Sequence, residues 1–512
     1  MKNFKVQNFI RIVSVPVLAI GVIITLNCGK KTAPVADELI LAKIGDKTIS
    51  VTEFYKRAEY TIRPPYCKLD NYVHKKVILN SLIAEKLFAL EAEAANDSAL
   101  MNNKSFMDFV QGRREQEMRK YLYKKEGLEK VNLDSSLIKQ TYRFAGRTFK
   151  VAYFSVNSPL SAELVKKRLE TNTSFENIYQ EIVGSEKIPE REVTWDKEGN
   201  DMLQNALFMD QKQVGQVIGP LEAEDGMYTT IKILGWNDDV AIGETKINQR
   251  MADVREKLTR QAALNSYAAF ASKVMKGKKV EFDENTFFKV TELVQPFYMP
   301  TQEQKEESFN RSFWNKNDDG DDSFKKFVAD FSEIKDEPFL RIDGETWTVE
   351  RLRKEIAIHP LVYRKQKFAK NQFPEQFKLA VVDLIRDKYL AEEAYKRGYD
   401  KAEPVQRTIE MWVDNARFLN HMQDYLTLVG SEYNYSKEYM STIKKYLNPY
   451  VDSLQTKYSD KIEINTDIFE RLKLTRIDMV AMEKNVPYPV TVPGFPVVTD
   501  DNRLNYGKKM EE

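Results

Sequence analysis

Apolar and polar positions alternate over residues 44–54, on either side of Gly45-Asp46. This predicts a short hairpin that runs into a helix from Thr52. Over residues 73–95 the period changes. Leu79, Ile83, Leu87 and Leu90 fall at i, i+4, i+8 and i+11, the single buried stripe of a helix. A further amphipathic helix is predicted over residues 105–124. The run FKVAYFSV from Phe149 reads as a strand, being rich in β-branched and aromatic residues. Short helices are expected over residues 161–170, in TSFENIYQEI, and over residues 205–209. The segment QVIGPLEAEDGMYTTIKILGW then reads as strand, turn at Asp225-Gly226, strand. A long helical stretch covers residues 247–275.

The pattern also recurs. KIGDKTISVTEF from Lys43 is matched by RIDGETWTVERL from Arg341, and LIAEKLFALEAEA from Leu82 by LIRDKYLAEEAYK from Leu384. VEFDENTFF from Val280 is matched by IEINTDIF from Ile462. Three matched segments in one order indicate a duplication. The third lies about 120 residues closer to the others in the second copy, so the first copy carries an inserted small domain. Each closing segment is expected beside its own opening hairpin, a swap in which each completes the other copy being the variant, with Ile342, Trp347 and Leu352 taking the places of Ile44, Ile49 and Phe54.

The amino-terminus reads as an export signal. Lys2, Lys5 and Arg11 precede an apolar run of about 15 residues that stops at Cys28. That run resembles a bacterial lipoprotein signal, which makes Cys28 the expected lipidation site, although Asn27 stands where such signals carry a small residue. After it no stretch is long and apolar enough to span a bilayer. Cys67 is the one remaining cysteine, which argues against an intrachain disulfide. Lys plus Arg total 78 and Asp plus Glu 77, a balance that gives no support to nucleic-acid binding. No Gly-rich phosphate loop and no metal-ligand spacing occurs, so neither cofactor nor metal is expected. His74, His359 and His421 are scattered in predicted helices and read as structural. The acidic run from Asn317 to Asp322 lacks the full calcium loop and reads as linker.

With these residues in view, the chain resembles the SurA/PrsA-type extracytoplasmic foldases. The opening motif of that family is matched by Ile44, Gly45, Ile49, Glu53 and Phe54, and its following helix by Leu82, Ile83, Lys86, Leu87, Glu91 and Ala92. The insert resembles a parvulin-type (PpiC-type) prolyl isomerase in Ser174-Phe175-Glu176, Ala206-Leu207, residues 214–220 and Asp225-Gly226. The resemblance implies a mainly α fold with a small α/β insert. Two SurA-N-like helical chaperone modules are expected, the first interrupted by a parvulin-like β-α-α-α-β-β domain. The expected organisation is a signal over 1–28 and a tether over 29–40. The first module covers 41–147 plus 241–295, with the parvulin-like domain at 148–240. A linker follows over 296–336, then the second module over 337–480 and a tail over 481–512, extended or disordered.

The insert departs from the family where chemistry is concerned. Tyr153 stands where active parvulins place a His in the first strand, and the last-strand His falls at Tyr228 or Thr229. The insert contains neither His nor Cys. A tryptophan, Trp195, is the candidate for the aromatic of the missing Gly-rich loop. Tyr153, Tyr228 and Thr229 are therefore candidates for a degenerate pocket. Prolyl isomerisation needs no covalent step, only a site that favours the twisted amide over its planar forms, against a barrier of about 20 kcal/mol. The resemblance implies a membrane-tethered periplasmic chaperone, anchored through lipid, whose partners are unfolded or extended exported polypeptides. The alternatives are an active peptidyl-prolyl isomerase of the same architecture and an accessory lipoprotein of an envelope export or assembly complex.

Overall fold

The computed structural model describes residues 39–185, 187–222, 226–299, 322–365 and 368–510. Cys28, the signal, most of the tether and the acidic linker lie outside them. The chain is mainly helical with three small sheets. It opens with β1 (Ile40–Ile44), β2 (Lys47–Ser50), α1 (Val51–Glu59), α2 (Tyr72–Ala94), α3 (Ser98–Met101) and α4 (Lys104–Glu126). Next come α5 (Ser135–Ala145), β3 (Arg147–Val156), α6 (Pro159–Glu170), α7 (Phe175–Val183) and β4 (Glu190–Thr194). They are followed by α8 (Asp201–Phe208), β5 (Val217–Glu222), β6 (Tyr228–Asp238) and α9 (Glu244–Met275). Then come β7 (Val280–Phe282), α10 (Glu284–Tyr298), α11 (Asp322–Ile334), β8 (Pro338–Ile342), β9 (Glu345–Thr348) and α12 (Val349–Ile358). The chain ends with α13 (Phe373–Lys396), α14 (Glu403–Leu428), α15 (Tyr435–Thr442), α16 (Asn448–Lys457), β10 (Ile462–Ile464), α17 (Thr466–Arg471) and β11 (Lys508–Lys509). Two compact units result. One is Lys120–Lys278 with Arg364–Gln372. The other holds both sequence repeats: the described residues up to Arg119, then Lys279–Tyr363 and Phe373–Glu512.

Within the repeat-bearing unit the matched segments build matched structures. Ser50 caps α1 by accepting from the Glu53 amide, and Thr348 caps α12 by accepting from the Arg351 amide. Val51 N donates to Leu39 O at 2.9 Å, and Val349 N to Glu337 O at 3.1 Å. Both hairpins slip register at the same place, between Ile40 and Ala42 and between Pro338 and Leu340. The closing segments match as well: Asp283 caps α10 and Asn465 caps α17.

The closing strands are exchanged. β10 pairs with β1, with Ala42 opposite Ile464 and Ile44 opposite Ile462. β7 pairs with β8, with Ile342 opposite Val280 and Leu340 opposite Phe282. Each closing segment thus completes the other copy's hairpin, contrary to the expectation that it would lie beside its own. Val280-Glu281-Phe282 and Ile462-Glu463-Ile464 share one apolar–acidic–apolar pattern, so either fits either hairpin in the same antiparallel register. Residues 280–298 accordingly belong with the second hairpin, not with the first module.

The two cores differ in content. The first buries Leu41, Ile44, Ile49, Phe54, Leu87 and Phe88 against Phe418, Ile462, Ile464 and Phe469. The second is aromatic, with ring centroids of Phe282, Phe287, Phe339, Phe373 and Phe377 between 5.5 and 6.5 Å apart in successive pairs. The tail from Val486 is an ordered, extended strap. Tyr488, Val492, Phe495 and Val498 are buried. Its backbone bonds to side chains of the helices: Arg113 donates to Val490 O, Gln116 to Tyr488 O, Arg57 to Gly494 O and Asn80 to Asp501 O. It ends as β11, parallel to β10.

In the other unit β3 to β6 form an antiparallel sheet in the order β4-β3-β6-β5. One face buries Phe149, Val151, Ile231 and Ile233 with Trp195, Leu207 and Phe208. The other buries Ala152, Phe154 and Val156 with Val165, Phe175 and Ile178. α5 and α9 supply Ile138, Ala145, Val254 and Leu258 to the first face. The folded insert is therefore larger than residues 148–240, because these helices bury their apolar stripes on its sheet. It also contains β4, which the expected β-α-α-α-β-β order omits.

Candidate functional site

Register on the inserted sheet separates the three candidate pocket residues. Tyr153 lies opposite Ile231, Ser155 opposite Thr229, and Val156 opposite Tyr228. Side chains alternate across a strand. Tyr153, Ser155 and Thr229 thus share the face that carries Phe149 and Ile231, while Tyr228 packs on the opposite face with Phe154 and Phe175. Tyr153 and Tyr228 do not line one groove. What the fold assembles instead is a hydroxyl pair, Ser155 Oγ and Thr229 Oγ1, 2.8 Å apart and partly buried. Half-buried Tyr153, Ile218, Leu221 and Met209 border the same core. The Arg191 guanidinium lies 5.4 Å from the Tyr153 ring centroid. Ser155, which the sequence reading did not single out, follows Tyr153 by two positions, the spacing that puts both on one face.

Gly219 holds β5 against β6 here. Its φ is +118°, and a Cβ would sit 2.6 Å from Thr229 O, so a side chain is excluded at that position. Each hydroxyl is both a donor and an acceptor. The arrangement donates and accepts hydrogen bonds beside an apolar surface, which suits holding a peptide carbonyl next to a small ring. Tyr228 has its phenol pushed up by burial and by Glu222. Trp195 is a core residue: it is 3% exposed and stacks edge-on with Phe208 at 5.5 Å.

A second candidate surface lies on the repeat-bearing unit, where the segment after α1 meets the segment after α17. Arg63 ties them together: its amide donates to Asp478 Oδ1 at 2.8 Å and its guanidinium to Ile477 O at 3.3 Å. Ala481 N donates to Tyr60 O at 3.3 Å. Around this seam Ile62, Leu69, Tyr72, Val73, Ile477, Met479, Val480 and Met482 are all exposed, Ile62 to 65% and Met479 to 58%. Exposed apolar residues gathered on two joined segments, two of them methionines, make an adaptable binding surface. Cys67 sits buried in the 3₁₀ turn Pro65–Cys67, and burial pushes its thiol up to about 12, so it is inert as a nucleophile.

The histidines are structural. His74 Nδ1 accepts from Leu69 N, His359 Nε2 contacts Asp387 at 3.1 Å, and His421 Nε2 contacts the Tyr450 hydroxyl at 2.8 Å. Burial lowers His421, which keeps it neutral. The strongest electrostatics are also internal. Arg57 grips Glu85 through two bonds of 2.8 and 2.7 Å, both side chains fully buried, and Asn415 donates to the same carboxylate. Lys86 lies 3.0 Å from Asp414 and 3.3 Å from Glu53. Burial raises Glu53. Burial also opposes the charge on Asp414, but Lys86 and Lys47 outweigh it and hold that carboxyl below the usual range. The sequence signal for this network is the Glu-Lys pair inside the buried stripe of α2.

Among the described residues no group of His, Cys, Asp and Glu is placed to hold a metal, and no helix is long and apolar enough to cross a membrane. No family model matches the chain, and neither a curated protein nor a solved structure matches it.

Proposed function

We propose that the protein is a membrane-tethered extracytoplasmic chaperone of the SurA/PrsA type that holds unfolded or extended exported polypeptides. The observation that carries this reading is the exposed apolar seam of Ile62, Leu69, Tyr72, Val73, Ile477, Met479, Val480 and Met482. Such a surface suits weak, sequence-tolerant capture of apolar segments. The repeated hairpin-and-helix frame and the α/β domain inserted in its first copy support the same reading. Lipid on Cys28 would keep the body at a membrane face, with two acyl chains giving stable attachment. The inserted domain, parvulin-like in this reading, serves as a binding element. Aggregation of a chemically unfolded client, followed by light scattering, tests the proposal. The full chain should suppress aggregation, and the double variant I62S/M479S should lose much of that effect while staying folded. Equal suppression by the variant, or none by the full chain, removes the reading.

The Ser155–Thr229 hydroxyl pair beside Tyr153 favours a second reading, an active prolyl isomerase. Proline-peptide exchange measured with the full chain separates the two. Acceleration abolished by Tyr153→Phe establishes an enzyme, and absence of acceleration leaves the binding role.

A further inference from the structure

The two exchanged sheets differ at one edge. In the first, β10 is covered on its outer side by the tail strand β11, in parallel, with Glu463 opposite Lys508 and Ile464 opposite Lys509. Met510 N donates to Ile464 O at 3.0 Å, and Lys509 Nζ reaches Asp467 at 3.0 Å. Ile462 and Ile464 are buried as a result. In the second sheet, of order β7-β8-β9, no strand among the described residues lies outside β7. Val280 and Phe282 are only half-buried and Glu281 is exposed.

Ladder bonds alternate along an antiparallel pair. By the matched register, the N–H and C=O of Val280 and Phe282 face away from β8, as those of Ile462 and Ile464 face β11. Asn285 stands where Asp467 stands, Lys276, Lys278 and Lys279 precede the strand, and Glu281 stands where Glu463 stands, opposite Arg341. The cation nearest Glu281 is its own neighbour Lys279, at 2.5 Å. The molecule therefore displays, in one half, the occupant that no described residue supplies in the other. That occupant is an extended segment reading Gly-Lys-Lys-Met, bonded through its backbone with its lysines beside Glu463 and Asp467.

The geometry points to the outer edge of β7 as a docking site for an extended, basic segment of another polypeptide, added in parallel to β7 as β11 is added to β10. Backbone bonds supply the attachment, and Glu281, the counterpart of Glu463, favours a lysine or arginine beside it. That such segments come from exported clients rests on the chaperone reading. The docking itself does not.

The test uses the full chain and a fluorescent peptide with the sequence of residues 503–510, RLNYGKKM. Anisotropy should report saturable binding. Glu281→Lys should weaken it by about tenfold or more, because it sets a lysine against the lysine of the incoming segment. N-methylation at the peptide's methionine, the donor position in the intramolecular pair, should weaken it similarly. Hydrogen exchange should slow over residues 279–284 and not over 461–465. No binding, equal affinity for Glu281→Lys or for the N-methyl peptide, or protection at 461–465 overturns the proposal. Client aggregation is scored on the same samples. Suppression without peptide binding removes the edge site and leaves the chaperone reading. Edge binding without suppression does the reverse.

Discussion

Where the first half of the repeat buries Lys75 and points its ammonium at Phe469 O and Leu472 O, 2.9 and 3.2 Å away, the matched position of the second half is Phe377, packed among Phe287, Phe339 and Phe373. Where the first half sets Arg57 against Glu85, the second sets Glu355 and Asp387, two acids, which draw their cations from Lys388, Arg386 and Arg119. On one backbone plan, with the same caps, the same register slip and the same borrowed strand, one half carries a lysine where the other carries a phenylalanine, and a base–acid pair where the other carries two acids with outside cations. The comparison teaches that the plan depends on main-chain pairing and caps, and that the interior chemistry was free to diverge while it stayed satisfied.

The largest effect that separates the halves should come from breaking the Arg57–Glu85 pair. Glu85→Ala leaves a buried guanidinium without its carboxylate and should cost about 3–5 kcal/mol, measured by urea unfolding of the full chain. The matched change Asp387→Ala should cost less, because Asp387 is part of a less deeply buried network with several cations. Equal losses would mean that the halves are not held differently. Phe377→Ala should cost roughly 3–4 kcal/mol through lost ring packing, whereas Lys75→Met should be close to neutral or mildly destabilising. Gly507→Ala should cost about 1–3 kcal/mol by overpacking, since a Cβ there would lie 2.7 Å from Ile462 Cγ2. The loss should appear as faster exchange over residues 461–465, with 280–282 unchanged. Ser155→Ala should cost about 1 kcal/mol or less, the worth of one partly buried hydroxyl bond.

Acid should act on both halves in the same direction. Asp414 and Asp387 are held below the ordinary carboxylate range despite burial, Asp414 by Lys86 and Lys47, Asp387 by Arg386 and Arg119. Their folded-state values lie below the unfolded one. Their contribution is therefore complete above about pH 4 and is lost as pH falls below it. Urea midpoints measured from pH 6 to pH 3 should fall, and Asp414→Asn should flatten part of that fall.

The hairpins, their helices and the long α9 were legible because alternation and the i, i+4 stripe are local signals. The expectation of a mainly α chain with a small α/β insert came with the family resemblance, and the chain is mainly helical with small sheets. β4 was not legible. Its residues Glu190, Arg191 and Glu192 are exposed, and only Val193 enters the core, so an edge strand leaves little period to read. The strap from Tyr488 to Met510 was partly legible as extended chain. Its order comes from Arg113, Gln116, Arg57 and Asn80, which are distant in sequence. The exchange of β7 and β10 had no local signature, since both strands satisfy both hairpins. At the inserted sheet the sequence left Tyr228 and Thr229 as alternatives, and pairing puts Thr229 on the face of Tyr153. Tyr228 falls on the other face, because choosing between adjacent strand positions needs the register that only pairing fixes.

The exchange is tested most directly by disulfide trapping in the full chain. Facing residues of an antiparallel pair bring their Cα atoms to about 5.5 Å, within reach of a disulfide. Lys43 faces Glu463, and Arg341 faces Glu281. The double variants K43C/E463C and E281C/R341C should each oxidise to an internal cross-link in the monomer, while K43C/E281C and R341C/E463C should not. Cross-linking in the second pair of variants, without it in the first, would show each copy closed by its own strand and would contradict the account.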